Sequence, residues 1–599
     1  MIEFLLGDVR RPGGARRRGV AGRMGVAVLA LSVLAGCAKP ETETIGLRLS
    51  SSDALQAESG LGGYLAGRFA ARALRDTTRA ADYLAQALAE DPDNEVLTHR
   101  TMQLMLADGR IEEGRKLAQK VVRFAPGDSL ANLVLSIESL RTGDATGAMR
   151  RMSEIGRTGF NVLISPIVIA WCRQADGQPD AAIEALSPLK ENAAFNGFRL
   201  FHTALIADLN GRIEAADKAY KETMTETGGS SLRVVEAYGS FLSRYGRIAE
   251  ARKVYAEYLT RNPENPGIID QMTRLERGEL PSRPMVASAV EGVAEALYGT
   301  AIVLSRNDRT DSGEIYVHMA LYLRPDFVLS RSLLGDLHEG DNRWEEAIKV
   351  YQGIDRSSPY SWATRLRIAW AFTRLDRKEE AYELLRAMSD EDAKRSDALI
   401  TLGDLLRNDE RFAEAADAYS RAIGRVERME QRHWAMFYAR GIAYERSKQW
   451  SKAEADLLKA LELKPDDPLV LNYLGYSWVE QGVNIEKARE MIERAVKQRP
   501  NDGYIVDSLG WVLYRIGRYR EAVVQLERAV ELRPEDPTIN DHLGDAYWKA
   551  GRKAEARFQW RRALSLKPEA AQVPVIEGKL ATGLANDVPA KSNAAKRGG

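Results

Sequence analysis

At 599 residues the chain has room for several domains, and lysine plus arginine balance aspartate plus glutamate at 85 each. A formal charge of zero excludes the broad basic footprint that nucleic-acid binding needs.

The first expected element is a leader. Arg10, Arg11, Arg16, Arg17, Arg18 and Arg23 precede an apolar run from Gly25 to Gly36. A dozen residues are too few for a membrane span, which takes roughly 20. Basic flank, short apolar core and small residues at the end predict a secretory signal over 1–36. Its last residues, Leu34-Ala35-Gly36-Cys37, resemble the lipobox of bacterial lipoproteins. The resemblance implies diacylglyceryl transfer to the Cys37 thiol and cleavage just before it. Ala38 in place of an aspartate directs the expectation to the outer membrane, facing the periplasm, with the inner membrane as the alternative. A lipidated Cys37 leaves Cys172, in the apolar run IVIAWC, without a disulfide partner, and that run predicts a buried, inert thiol.

Residues 37–60 are polar and predict a tether. From 61 onward the chain repeats itself. Gly441, Gly475, Gly510 and Gly544 recur every 34 or 35 residues, in step with Ala453, Ala488, Ala522 and Ala556. Ala460, Ala495, Ala529 and Ala563 form a third register, and Pro465, Pro500, Pro534 and Pro568 close each unit. NYLGYSWVEQG and DSLGWVLYRIG are apolar at helical spacing and end at a glycine. EAVVQLERAVELRP is a second amphipathic helix stopped by proline. Glycine and alanine belong where two helix backbones approach closely.

This pattern resembles the tetratricopeptide repeat (TPR) family, and Leu543-Gly544, Tyr547, Ala556, Trp560, Ala563 and Pro568 fit it throughout. Weaker units reach back to Ala80, Ala87 and Pro92. The resemblance implies an all-α protein, an α-α superhelix of about fourteen helix-turn-helix repeats in two arrays. Six units are expected over 61–265 and eight over 293–570. NPENPG and ELPSRP mark a proline-containing connection at 266–292, the alternative being one superhelix with an irregular joint. Residues 571–599, which lack apolar periodicity, are expected to be disordered.

The sequence offers no chemistry beside the repeats. Six histidines are scattered, HExxH and Cys-x-x-Cys are missing, and neither a P-loop nor GxSxG occurs. A binding protein without catalytic residues, metal or cofactor is the expectation. In the TPR family the groove is lined by the first helix of each pair. Carried onto the last three units, this gives Leu469, Asn472, Tyr476 and Glu480. It then gives Tyr504, Asp507, Trp511, Tyr514 and Arg515, followed by Thr538, Asp541, Asp545, Trp548 and Lys549. Asn472, Asp507 and Asp541 would form a polar ladder for an extended peptide, with the aromatic rings taking its side chains. The alternative is that Trp511 and Trp548 pack between units. Aspartates at two of the three ladder positions do not match the lysine and asparagine of a chaperone-binding carboxylate clamp.

The lipobox, the long array and the block from Asp507 to Ala556 together resemble a group of proteobacterial TPR lipoproteins (LbcA-like). That likeness implies an outer-membrane adaptor that activates a periplasmic carboxyl-terminal processing protease against peptidoglycan hydrolases. The competing expectation is a scaffold for envelope polysaccharide export or outer-membrane protein assembly.

Overall fold

The computed structural model describes residues 60–584, apart from 157, 158, 160 and 306–309. The expected signal, Cys37, nearly all of the tether and residues 585–599 lie outside the described residues. Within them every element is helical, with thirty α-helices and four short 3₁₀ or π segments. Fourteen antiparallel pairs follow in order, and the chain is an α-α superhelix. Six pairs run from Gly60–Phe69 with Thr77–Glu90 to Leu232–Arg244 with Ile248–Arg261. Eight more run from Ala289–Ser305 with Thr310–Leu323 to Pro537–Lys549 with Lys553–Ser565.

Local chemistry sets the helix ends. Asn94, Asp128, Asp467, Asp502 and Asp536 each accept a backbone N–H of the helix they open. Between the two helices of a pair one residue turns left-handed. Gly482, Gly517 and Gly551 do so in the last units, but Asn342, Asp376, Glu410 and Lys448 do so in the middle ones. The recurring alanines of the second helices, from Ala453 and Ala460 to Ala556 and Ala563, are fully buried. At Gly544 a methyl group would lie 2.5 Å from the Trp560 ring, so only glycine admits that contact.

Two expectations need correction. Part of the stretch expected as a connection is a helix, Pro266–Glu276, because Asn265 caps it and Pro266 takes its first position; the non-helical joint is only 277–288. Part of the tail expected to be disordered is also helical, Val573–Thr582. It buries Ile576, and its lysine finds two carboxylates on the last repeat.

Past the joint the chain returns to its own beginning. Ala289–Ser305 packs on Asn161–Ala175, where Gly292 lies flat against the Trp171 ring. Thr310–Leu323 packs on Glu95–Ala107 and Ser129–Arg141. The Tyr322 hydroxyl bonds to Glu112 and lies 2.9 Å from Glu138, and Arg75 pairs with Asp341 at 2.6 Å. Arg233 binds the buried Glu295 across the joint. Cys172 is buried in this region, and burial pushes its thiol up to about 12, so it is inert.

Candidate functional site

The residues carried over from the repeat pattern lie on three successive first helices, Pro468–Gln481, Gly503–Arg515 and Pro537–Lys549. The structure joins several of them into one network. The Trp511 indole N–H donates to Glu480 Oε1 at 2.6 Å, and Arg515 reaches the same oxygen at 3.3 Å. The Trp511 ring stacks on Tyr514 at 4.9 Å and on His542 at 4.1 Å, nearly parallel to both. Tyr476, Tyr504, Trp511 and Tyr514 are half-buried, while Glu480 and Arg515 are exposed. Arg533 stands over the Tyr504 ring at 5.1 Å. Leu469 and Thr538 are half-buried residues of the first turn, and their backbone N–H groups are taken by the caps Asp467 and Asp536.

The polar ladder is not uniform. Asn472 is buried, and its Oδ1 finds no hydrogen-bond donor among the described residues. Asp507 is buried too, with both oxygens 3.0 Å from His542 Nδ1, which makes that nitrogen the protonated one. Burial pulls the His542 imidazole pKa down, but Asp507, helped by Asp541 and Asp545, overcomes this and raises it. Asp541 is half-buried and engaged by Lys579 of the final helix at 2.7 Å; the same ammonium reaches the buried Asp545 at 2.8 Å. Burial raises the Asp545 carboxyl even with Lys579 beside it. Its other oxygen accepts the Trp560 indole N–H at 2.9 Å. Trp548 tilts against Trp560 at 5.4 Å, between Lys553 and Arg557 and under Gly583. Lys549 is half-buried on the same helix.

The chain itself therefore covers Asp541, Asp545 and Trp548, whereas the Tyr476, Glu480, Trp511 and Tyr514 surface remains partly open. Pattern reasoning missed His542 and Lys579. His542 sits beside a groove position, not on one, and Lys579 lies beyond the last repeat. The arrangement offers aromatic faces, one indole N–H already used and exposed charges, which suits docking of a protein surface. Among the described residues no group of three or more His, Cys, Asp or Glu could hold a metal, and no helix is long and apolar enough to cross a membrane.

Paired helices stacked into a superhelix with an aromatic-lined first-helix face define a class of protein-binding array. Comparison with known families identifies the repeats: residues 71–136, 400–468 and 538–569 match the tetratricopeptide repeat, and 510–551 match the TPR repeat. The chain thus carries tetratricopeptide repeats near both ends and in its second half. It is 34% identical over 87 residues to the TPR repeat-containing protein PA4667 of Pseudomonas aeruginosa, covering 14% of this chain and 15% of that protein's length. Among solved structures it is similar to the Cut9–Hcn1 hetero-tetramer of APC/C. The identity is 14% and the TM-score 0.36, over 88% of this chain and 97% of the other. A tetratricopeptide repeat protein of Parabacteroides merdae is similar at 15% identity and TM-score 0.32, over 48% of this chain and 97% of that one.

Proposed function

We propose that the protein is a lipid-anchored adaptor of the cell envelope that gathers protein partners on its repeats. The foremost partner is a periplasmic carboxyl-terminal processing protease, together with the wall hydrolases it degrades. The observation that carries the adaptor reading is the half-exposed aromatic row Tyr476, Trp511 and Tyr514 beside the exposed Glu480, on two successive first helices, the second of which runs into a stretch that matches the TPR repeat. The lipobox ending at Cys37 supports the anchor, and the likeness of the closing block to adaptor lipoproteins supports the protease. The mechanism is proximity: two weak sites on one rigid array raise the local concentration of substrate near protease without any new chemistry.

The test is a crosslinking pull-down from intact envelopes, wild type beside a Tyr476→Ala, Tyr514→Ala double variant. Trp511 is left in place because its ring stacks on both Tyr514 and His542 and its N–H holds Glu480, and Trp548 because the chain's final segment covers it. A processing protease enriched with wild type and reduced at least tenfold with the variant is the expected result. Export or assembly components in its place would transfer the reading to the competing scaffold role.

A further inference from the structure

A second feature lies far along the chain from the aromatic row. Where Thr310–Leu323 packs against the first repeats it leaves a cleft of about 340 Å³. The first helix contributes Arg68, the π-helical segment Ala70–Leu74 that follows it contributes Arg72, its left-handed end is Arg75, the third α-helix contributes Arg100, and the returning segment contributes Asp341 and Arg343. Five guanidinium groups thus face one lining carboxylate.

Their pairing is unequal. Asp341 accepts from Arg75 at 2.6 Å and lies 3.6 Å from Arg343, which also binds the buried Glu314. Arg68, Arg72 and Arg100 make no ion pair among the described residues; Arg68 only leans over the Tyr64 ring at 5.7 Å. Guanidinium forks match carboxylate geometry in pairs, and like charges held together at a cleft mouth repel until a counter-charge arrives. The remaining wall sets an aliphatic stretch, Ala71, Leu84, Leu104, Ala107 and Ile315, beside the neutral polar Thr77, Gln103 and Ser312. A bare anion would leave that wall wet, whereas a short peptide with one carboxylate and aliphatic neighbours satisfies both halves of the lining.

We infer that this cleft is a second binding site, for an acidic peptide segment whose carboxylate is held by Arg72 and Arg100 and whose aliphatic side chain lies on Leu104 and Ile315. The site goes beyond the adaptor reading of the C-terminal row and is separate from it, so either can fail alone. The cleft forms only when the seventh and eighth pairs are packed on the first two, so occupancy also ties the beginning of the chain to its middle.

Calorimetric titration of the full chain tests it with three probes: acetyl-Leu-Glu-Leu-amide, acetyl-Leu-Gln-Leu-amide and acetyl-Leu-Gln-Leu with a free carboxy-terminus. The first or third should bind, the neutral one at least tenfold more weakly, and which acid binds separates a side-chain from a terminal carboxylate. Binding should weaken as sodium chloride is raised. Arg72→Gln with Arg100→Gln, which breaks no ion pair within the protein, should weaken the acidic probe at least tenfold. A control at Arg386→Gln, an exposed arginine on the helix Lys378–Glu391 that does not line the cleft, should not. Failure of both acidic probes with wild type, or undiminished binding by the double variant, overturns the site. So does inorganic phosphate binding as tightly as the peptide, since the aliphatic wall would then play no part.

Discussion

His542 is the residue on which the C-terminal site turns, and its charge makes a prediction. Asp507 holds Nδ1, Trp511 covers the ring, and the pKa in the folded chain stands above the ordinary value of about 6.5. A raised folded pKa means that the protonated imidazole stabilises fully below about pH 6.5 and that this contribution is lost as pH climbs through the folded value. Urea unfolding at pH 6 and pH 9 should therefore show the last repeats weakening at the higher pH. The His542→Gln variant should lose most of that difference. An unchanged pH response would mean that the imidazole is neutral throughout. This role was not legible in the sequence. The repeat pattern gives positions facing the groove, and His542 belongs to the adjacent position, where Asp507 is 35 residues away in sequence and becomes its neighbour only through stacking. The partner of Asp507 is a property of packing, not of spacing.

At the scale of one helix, the repeats were legible because their constraint is local and periodic. A glycine must face Trp560 or Leu526, and an alanine must lie where helices cross, so the same letters return in every helix pair of the closing block. The helix Val573–Thr582 escapes that logic: it is ten residues long, occurs once, and buries only Ile576. What holds it is Lys579, whose side chain is 14% exposed between Asp541 and Asp545. Lys579→Met would remove the cation from two desolvated carboxylates, a change that costs about 3–5 kcal/mol at a buried pair. The loss should stay local because a terminal element touches only its neighbour. Hydrogen exchange of 573–582 should rise to nearly unprotected while that of 434–515 is unchanged. Retained protection would show that Ile576 and the contact of Gly583 with Trp548 suffice.

At the scale of the whole chain, a simple solenoid would be additive, each pair resting on the one before it. Here the pairs after the joint also rest on the third, fifth and seventh helices, so distant stretches share a core. The prolines at 281 and 284 mark a bend in the path without marking a boundary in the packing, and prolines alone cannot tell these apart. Trp171 reports the difference. It is the sole tryptophan before Trp344, it is fully buried, its N–H donates to His202 at 3.0 Å, and Gly292 covers its face. A fragment of residues 60–284 lacks that cover. Roughly 100 Å² of re-exposed apolar surface corresponds to about 2.5 kcal/mol, a large share of a domain's stability. The fragment's fluorescence should shift to the red and become open to acrylamide, and its urea midpoint should fall. Adding residues 285–584 should restore the blue emission, because the missing surface returns with Ala289–Ser305. Blue, protected emission from the fragment alone would mean that the first six pairs close their own core and that the returning helices only dock upon it.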